Sequence, residues 1–324
     1  MDSHSTDTRE PLWVIAGPTA SGKTALSLEV AERLGCELCS MDSMLVYRGL
    51  DVGTAKPTAA ERARVRHHGV DLVEPQQPFG VPDWLAAARA AQAEARARGV
   101  RLIFVGGTAF YLKALTAGLF EGPAPDAQLR RALEREWDQR GAQALHAELQ
   151  RVDPASAARL HANDRKRVVR ALEVWRQTGR PLWAWQTQWA AAPARALRLV
   201  ALALEPERLA ERIAARTRAM FEAGWEDEVR GLLARDALGP TASQALGYAQ
   251  VAALVRGELG REAALEAVTT ATRRFARKQR TWLRHFAGRV EVAAPRDAAD
   301  MQRAAREVLA ALVDGAEGAE PRGS

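Results

Sequence analysis

The chain has 324 residues, 47% of them hydrophobic, which is ample for a sizeable core and leaves room for two or three structural units. No segment approaches the roughly 18 apolar residues that a membrane-spanning helix needs, and a formal charge of +6, carried mostly by arginine, is by itself weak evidence for a nucleic-acid partner. The two cysteines, Cys36 and Cys39, have no second Cys or His pair at zinc-finger spacing, so they read as buried thiols on one strand.

The first ten residues, MDSHSTDTRE, are polar and lack the apolar stretch of a signal peptide, so the expectation is a cytoplasmic protein with no membrane partner. From Leu12, LWVIAG is a short apolar run ended by glycine and reads as a buried strand. GKTALSLEVAERLG continues at helical period and stops at Gly35. CELCSMDS is a second strand with Asp42 at its C-terminal end, and DWLAAARAAQAEARARG is a long Ala-rich helix. VRLIFVGGTAFYLKALTAG then gives a third strand, a Gly-Gly turn and another helix. Strands alternating with helices predict a parallel sheet covered on both faces, with ligands beyond the strand C-termini. That edge gathers Gly17–Thr24, Asp42 and Gly106–Thr108.

After EGPAPDAQLR the texture changes. Residues 123–193 read as an all-helical insertion bounded by Pro123, Pro125 and Pro193. LRLVALAL, residues 197–204, reads as a strand returning to the sheet, and the rest is mainly helical. The expected organisation is a core from residues 11–122 and 194–314, the insertion at 123–193, and disordered tails at 1–10 and 315–324.

Residues Gly17, Pro18, Thr19, Ala20, Ser21, Gly22, Lys23 and Thr24 fit the phosphate-loop pattern G-x-x-x-x-G-K-[ST], with a strand before and a helix after it. The glycines let backbone N–H groups turn inward, Lys23 offers a point charge to terminal phosphates, and Thr24 offers a hydroxyl to Mg²⁺. The expected fold class is therefore α/β, with a P-loop NTPase-like parallel sheet and an inserted helical domain. Proteins that split nucleoside triphosphates usually end a later core strand in a magnesium-binding Asp, whereas RLIFVGG ends in Gly-Gly. Asp42, on the strand after the loop helix, reads either as a cap for the next segment or as a carboxylate touching an acceptor. Two stretches are rich in cations. In RRFARKQRTWLRHFAGR, Arg273, Arg277, Arg280 and Arg284 share one helical face, and Phe275, Trp282 and Phe286 fall opposite, as a docking face. In NDRKRVVRALEVWRQTG, Asn163 is the expected N-cap and Gly179 the stop. Arg165, Lys166, Arg167 and Arg170 crowd the wrong end for the helix dipole, which predicts a partner anion.

GPTASGKT, DSMLVYRGLDVGTAKP, VGGTAFYL, NDRKRVVRALEVW and RKQRTWLR stand in the order and spacing seen in bacterial tRNA dimethylallyltransferases, and the resemblance runs from about Leu12 to Arg284. It implies transfer of a dimethylallyl group from dimethylallyl diphosphate to the exocyclic amine of the adenosine 3′ of the anticodon, in tRNAs that read codons beginning with U. Pyrophosphate is released. By resemblance Asp42 is the base, and Lys23, a Thr24-bound Mg²⁺ and Arg216 stabilise the leaving diphosphate. The resemblance also implies tRNA contacts at Asp42, Ser43, Met44 and Leu45, at Thr108, and at Lys166, Arg167, Val168, Val169 and Arg170. Further contacts are implied at Gln244, Ala245, Leu246, Gly247, Tyr248 and Ala249, and at Arg277, Lys278, Gln279, Arg280, Thr281, Trp282, Leu283 and Arg284. Gln244 and Ala249 depart from relatives that carry Arg at these positions. The implied enzyme acts as a monomer on the tRNA anticodon stem-loop. A small-molecule kinase, a prenyltransferase of free adenine nucleotides and a non-enzymatic nucleic-acid binder are the rival readings.

Overall fold

The computed structural model describes residues 10–119, 122–186 and 196–313; the expected tails beyond Glu10 and Val313, and Pro193, lie outside the described residues. The chain divides into two compact units, one made by residues 1–115 and 195–324 and the other by Thr116–Ala194.

The larger unit is built on a six-stranded, all-parallel sheet of order β3-β2-β4-β1-β5-β6. Its elements run β1 (Leu12–Ala16), α1 (Lys23–Leu34), β2 (Glu37–Met41), α2 (Ala59–Arg64), β3 (His67–His68), α3 (Val81–Ala97), β4 (Leu102–Gly106) and α4 (Ala109–Ala117). After the smaller unit it resumes at β5 (Leu197–Ala203). The strands foreseen from the apolar runs are present. Two more were missed: β3, only two residues long, and β6 (Val290–Ala293), an edge strand with one buried residue. Neither is long enough to carry a periodic signal.

Neighbouring residues of each buried strand face opposite layers. Trp13, Ile15 and Ile103 share a core with Leu26 and Val30 of α1, and with Val308 and Leu312 of α13 (Ala298–Val313). Phe104, next to Ile103, meets the buried Trp84 of α3 edge to face at 6.4 Å on the other side. Trp84 donates its indole N–H to Ser40 O at 2.9 Å and stacks on Tyr111 at 4.2 Å, so Tyr111 is a core aromatic. Cys36 and Cys39 are both buried and free; burial alone pushes the Cys39 thiol up to about 12, so neither is poised for redox or metal chemistry.

The strand ends are stitched together where ligands bind in such sheets. Gly17 N donates to Gly106 O at 3.3 Å and Thr108 N to Met41 O at 3.3 Å. A side chain at Gly106 would overlap the Met41 carbonyl, and one at Gly107 would overlap the Gln279 amide and lie 2.8 Å from Gly17 O. The magnesium-binding Asp of a triphosphatase has no space at this strand end.

The smaller unit contains four helices among the described residues: α5 (Ala127–Val152), α6 (Pro154–Ala157), α7 (Arg165–Thr178) and α8 (Leu182–Trp185). Leu133, Leu145, Leu149, Val168, Leu172 and Val174 form its own core. Gly141 breaks α5 with φ 81°, a bend that the sequence reading did not foresee. The N-cap of α7 is Asp164, accepting from Arg167 N at 3.3 Å, rather than the expected Asn163; Gly179 closes the helix as foreseen.

Gly107→Ala is expected to cost about 1–3 kcal/mol in chemical denaturation, the range for overpacking a filled site. A loss below about 0.5 kcal/mol would show that Gln279 yields easily and that the strand end is not tightly closed.

Candidate active site

The phosphate loop connects β1 to α1. Ala20 and Gly22 take left-handed conformations, φ 63° and 88°, the first a strained one for a residue with a Cβ. Ser21 is fully buried, and its hydroxyl has no partner among the described residues. The loop is held from outside. Gln279 Oε1 accepts from Thr19 N at 2.9 Å while Gln279 Nε2 donates to Gly107 O at 3.0 Å, and Arg212 donates to Ser21 O at 3.2 Å. Gln279 comes from α12 (Arg261–Leu283) and Arg212 from α9 (Pro206–Glu222). The N-terminus of α1 carries no side-chain cap, so its first amides remain for an anion.

Lys23, the first residue of α1, is half-buried and donates to Pro18 O at 3.3 Å. Burial first, and then the guanidinium of Arg216, lower its pKa to about 8; Asp42 opposes that shift. Arg216, on α9, is lowered by burial and supported by Asp42, and its guanidinium donates to Thr54 O at 3.4 Å. Asp42 follows the last residue of β2. One carboxylate oxygen accepts from Met44 N at 2.9 Å, and its own N–H donates to Ser40 Oγ at 3.2 Å. The carboxylate both caps the following turn and carries charge to the site, so the two readings of Asp42 are compatible.

Two cavities meet at this point. An open one of about 1360 Å³ is lined by Gly22, Lys23, Thr24, Lys56, Arg62, Arg212 and Arg216. A smaller one of about 260 Å³ is lined by Asp42, Ser43, Met44, Leu45, Thr108, Leu246, Phe275 and Gln279 among others. Lys23, Thr24, Ala55, Pro57, Arg216 and Met220 line both. Cations thus occupy the shared wall, with the carboxylate on the smaller side.

Among the described residues no cluster of three or more His, Cys, Asp or Glu could hold a metal. Thr24 is exposed, and its hydroxyl has no protein partner among them. A divalent ion here would depend on that hydroxyl and on a ligand's own oxygens, which suits Mg²⁺, an ion that keeps several waters.

The remaining expected residues separate by exposure. Val168, Val169, Ala245, Tyr248, Gln279 and Leu283 are buried, so their side chains hold neighbours in place, and Gly247 is buried against Trp225. Gln244, Leu246, Ala249, Arg277, Lys278, Thr281, Trp282 and Arg284 are exposed. On α12 the inward stripe is Val268, Thr269, Ala276, Gln279 and Leu283. Phe275 and Trp282, 40% and 39% exposed, are not the docking face that their spacing suggested. Small and amide side chains let the helix come close to the loop, where two large aromatics would hold it away. Arg273, Arg277, Lys278, Arg280 and Arg284 have no carboxylate partner among the described residues, whereas Arg165 pairs with Asp138 at 2.7 Å, Arg167 with Asp164 at 2.6 Å and Arg170 with the buried Glu173 at 3.0 Å. Three of the four cations at the start of α7 thus have an acid of their own unit beside them, with Glu173 shared with Arg130. Lys166 is the exception there, exposed and without an ion pair among the described residues.

Sequence reasoning missed Arg212, Gln279 as a loop clamp, and Glu228. The spacing of Arg208, Arg212 and Arg216, four residues apart on one helix, was a usable signal for the first.

Comparison with known proteins gives one family. The IPP transferase model matches residues 45–286 and the isopentenyl transferase model residues 10–71. The tRNA dimethylallyltransferase of Anaeromyxobacter dehalogenans is 49% identical over 88% of this chain and 96% of its own length. That of Geobacter metallireducens is 45% identical over 84% and 89%. The solved full-length tRNA isopentenylpyrophosphate transferase of Bacillus halodurans superposes with TM-score 0.68 at 34% identity, covering 94% of this chain and 98% of that one. A eukaryotic dimethylallyltransferase solved acting on tRNA gives TM-score 0.73 at 25% identity over 88% and 74%.

The lowered pKa of Lys23 has a measurable consequence. A bound diphosphate favours the charged ammonium, so binding raises that pKa and takes up a proton at and above pH 8; affinity then falls as pH rises through 8. Calorimetry of inorganic pyrophosphate at pH 8, in buffers of different ionisation enthalpy, is expected to show proton uptake beyond the ligand's own. Lys23→Arg, which does not titrate, is expected to lack the excess. Equal uptake by both would remove Lys23 from the anion site.

Proposed function

This chain belongs to the IPP transferase family, and on that premise we propose that it transfers the dimethylallyl group of dimethylallyl diphosphate to the exocyclic amine of the adenosine 3′ of the anticodon in tRNAs reading codons that begin with U. The products are isopentenyladenosine and pyrophosphate, and the site of action is the cytoplasm. The observation that supports this reading is the wall shared by two cavities, with Lys23, Thr24 and Arg216 facing both and Asp42 on the smaller one.

The reaction forms a bond from the adenine nitrogen to C1 of the dimethylallyl group and breaks the bond from C1 to the diphosphate oxygen, whose electron pair leaves with pyrophosphate. The amine is a poor nucleophile because its lone pair is delocalised into the ring. Asp42 takes its proton as attack proceeds, and the hydrogen bond from Met44 N holds the carboxylate for it. Charge accumulates on the departing diphosphate, where Lys23 and Arg216 stabilise it. Thr24 would hold Mg²⁺ through its hydroxyl, and the ion would supply further charge neutralisation to the departing diphosphate. Met44, Leu246, Val268 and Phe275 make the smaller cavity apolar enough to receive a base taken from its stack. An anticodon-loop base is single-stranded, so unstacking it costs less.

The free cations of α12 carry the tRNA contact, with Lys166 contributing from the helical insertion. Arg277→Gln and Arg284→Gln are each expected to weaken tRNA binding and reduce its salt slope by about one. Arg165→Gln, whose charge Asp138 already balances, should change the slope little. Equal effects from all three would contradict the distinction.

The function is tested by nucleoside analysis of tRNA from a bacterial strain lacking its own dimethylallyltransferase and carrying this gene. Isopentenyladenosine is expected to return with the wild-type gene. Purified Asp42→Ala is expected to be slower by about 10²–10⁴-fold in single turnover. No isopentenyladenosine with a well-expressed wild-type gene would overturn the assignment; an unchanged single-turnover rate would remove Asp42 as the base.

A further inference from the structure

Glu228 lies on α10 (Trp225–Ala234), outside the lining of both cavities. Its carboxylate is fully engaged. Oε2 accepts from Asp51 N at 2.7 Å and Val52 N at 2.6 Å; Oε1 accepts from Gly53 N at 3.2 Å and from the Tyr248 hydroxyl at 2.6 Å. No cation pairs with it among the described residues. Successive backbone N–H groups converging on one point make a nest that ordinarily holds a bound anion; here the chain supplies the anion itself, and charge-assisted bonds of this kind are the strong ones.

What the carboxylate holds is the segment between the two cavities. Val52 lines the larger cavity, Gly53 and Thr54 the smaller, and Ala55 and Pro57 both. The next residue after the nest is Thr54. Its hydroxyl closes the turn onto Leu50 O at 2.6 Å, and its carbonyl accepts from Arg216 at 3.4 Å. That is the one protein hydrogen bond of the Arg216 guanidinium among the described residues, and it is long, so the aim of a flexible side chain depends on where the Thr54 carbonyl sits. Trp225, at the start of the same helix, closes the other side: a side chain at Gly53 or at Gly247 would overlap its indole. Charge from Glu228 and shape from Trp225 thus fix one loop from one helix.

We infer that Glu228 is a positioning residue, which fixes the Thr54 carbonyl and through it aims Arg216 at the departing diphosphate. The inference rests on the role given to Arg216 above. A misplacement near 1 Å in such a group can cost on the order of a hundredfold in rate. Replacing the carboxylate by an amide turns an N–H₂ toward backbone N–H groups and loosens the nest without removing side-chain volume.

The test is a double-mutant cycle on the full-length protein, read as single-turnover transfer at saturating tRNA and dimethylallyl diphosphate, with tRNA affinity and thermal melting measured beside it. Glu228→Gln is expected to slow transfer roughly tenfold or more, with tRNA affinity within about twofold. In an Arg216→Ala background the same change is expected to cost less than about twofold, because the group it aims is gone. Tyr248→Phe, which leaves the three amide bonds, is expected to lose less than Glu228→Gln. Where Glu228→Gln melts below the assay temperature, the cycle of Glu228→Asp, which keeps the charge but shortens the reach to the three amides, with Arg216→Ala reads the same coupling. Losses that multiply in the double variant, with Arg216→Ala itself slow, overturn the positioning role alone. An Arg216→Ala enzyme that turns over at the wild-type rate overturns the role of Arg216 and the inference with it.

Discussion

Two cations, Lys23 and Arg216, are held half-buried in one wall, near enough that Arg216 disfavours the charge on Lys23, with a single carboxylate, Asp42, to offset them. Left alone, that arrangement is unfavourable: burial pushes both side chains toward their neutral forms, and like charges add to the cost. A polyanion resolves it. The strained loop at Ala20, the uncapped N-terminus of α1 and the closed ends of β1, β2 and β4, where only glycine fits at positions 106 and 107, lie at the same edge of the sheet. The chain is a prenyl-transferring enzyme of the IPP transferase family, and the same imbalance suits a reaction in which a diphosphate leaves with a full extra charge.

The site is held by long-range clamps rather than by the loop itself. Gln279 reaches the loop from 260 residues away in the chain, and Glu228 reaches the 51–53 segment from more than 170. Their partners in the two loops are backbone groups, so they set geometry without limiting which side chains the loops carry. Gln279 also explains the character of α12. Its inward stripe must be small or amide-like to approach the loop, which leaves Phe275 and Trp282 outside and the arginines on a separate, unneutralised face.

Contiguous features were legible in the sequence. The loop from Gly17 to Thr24, the strand that precedes it and the position of Asp42 are local patterns, and a strand end needs no knowledge of distant partners. The helical insertion was visible as a change of texture between prolines. Helical periodicity showed that α12 has distinct faces but not which one turns inward, because that is decided by how closely it packs on a loop at the other end of the chain. At the start of α7 only one acid is remote in sequence, Asp138 beside Arg165; Asp164 and Glu173 sit three residues from Arg167 and Arg170 along the same stretch. No role for Glu228 was legible in the sequence, since its chemistry lies in the three amides that it gathers.

The central claim is that the phosphate loop holds a prenyl donor whose diphosphate leaves only when tRNA accepts the group. Incubation with dimethylallyl diphosphate labelled in the prenyl carbons measures this directly, with unmodified tRNA, AMP or no acceptor. Label is expected in tRNA, matched mole for mole by pyrophosphate, with AMP and the acceptor-free reaction at background. Label in AMP at a rate comparable to tRNA, or release of pyrophosphate without any acceptor, would contradict it.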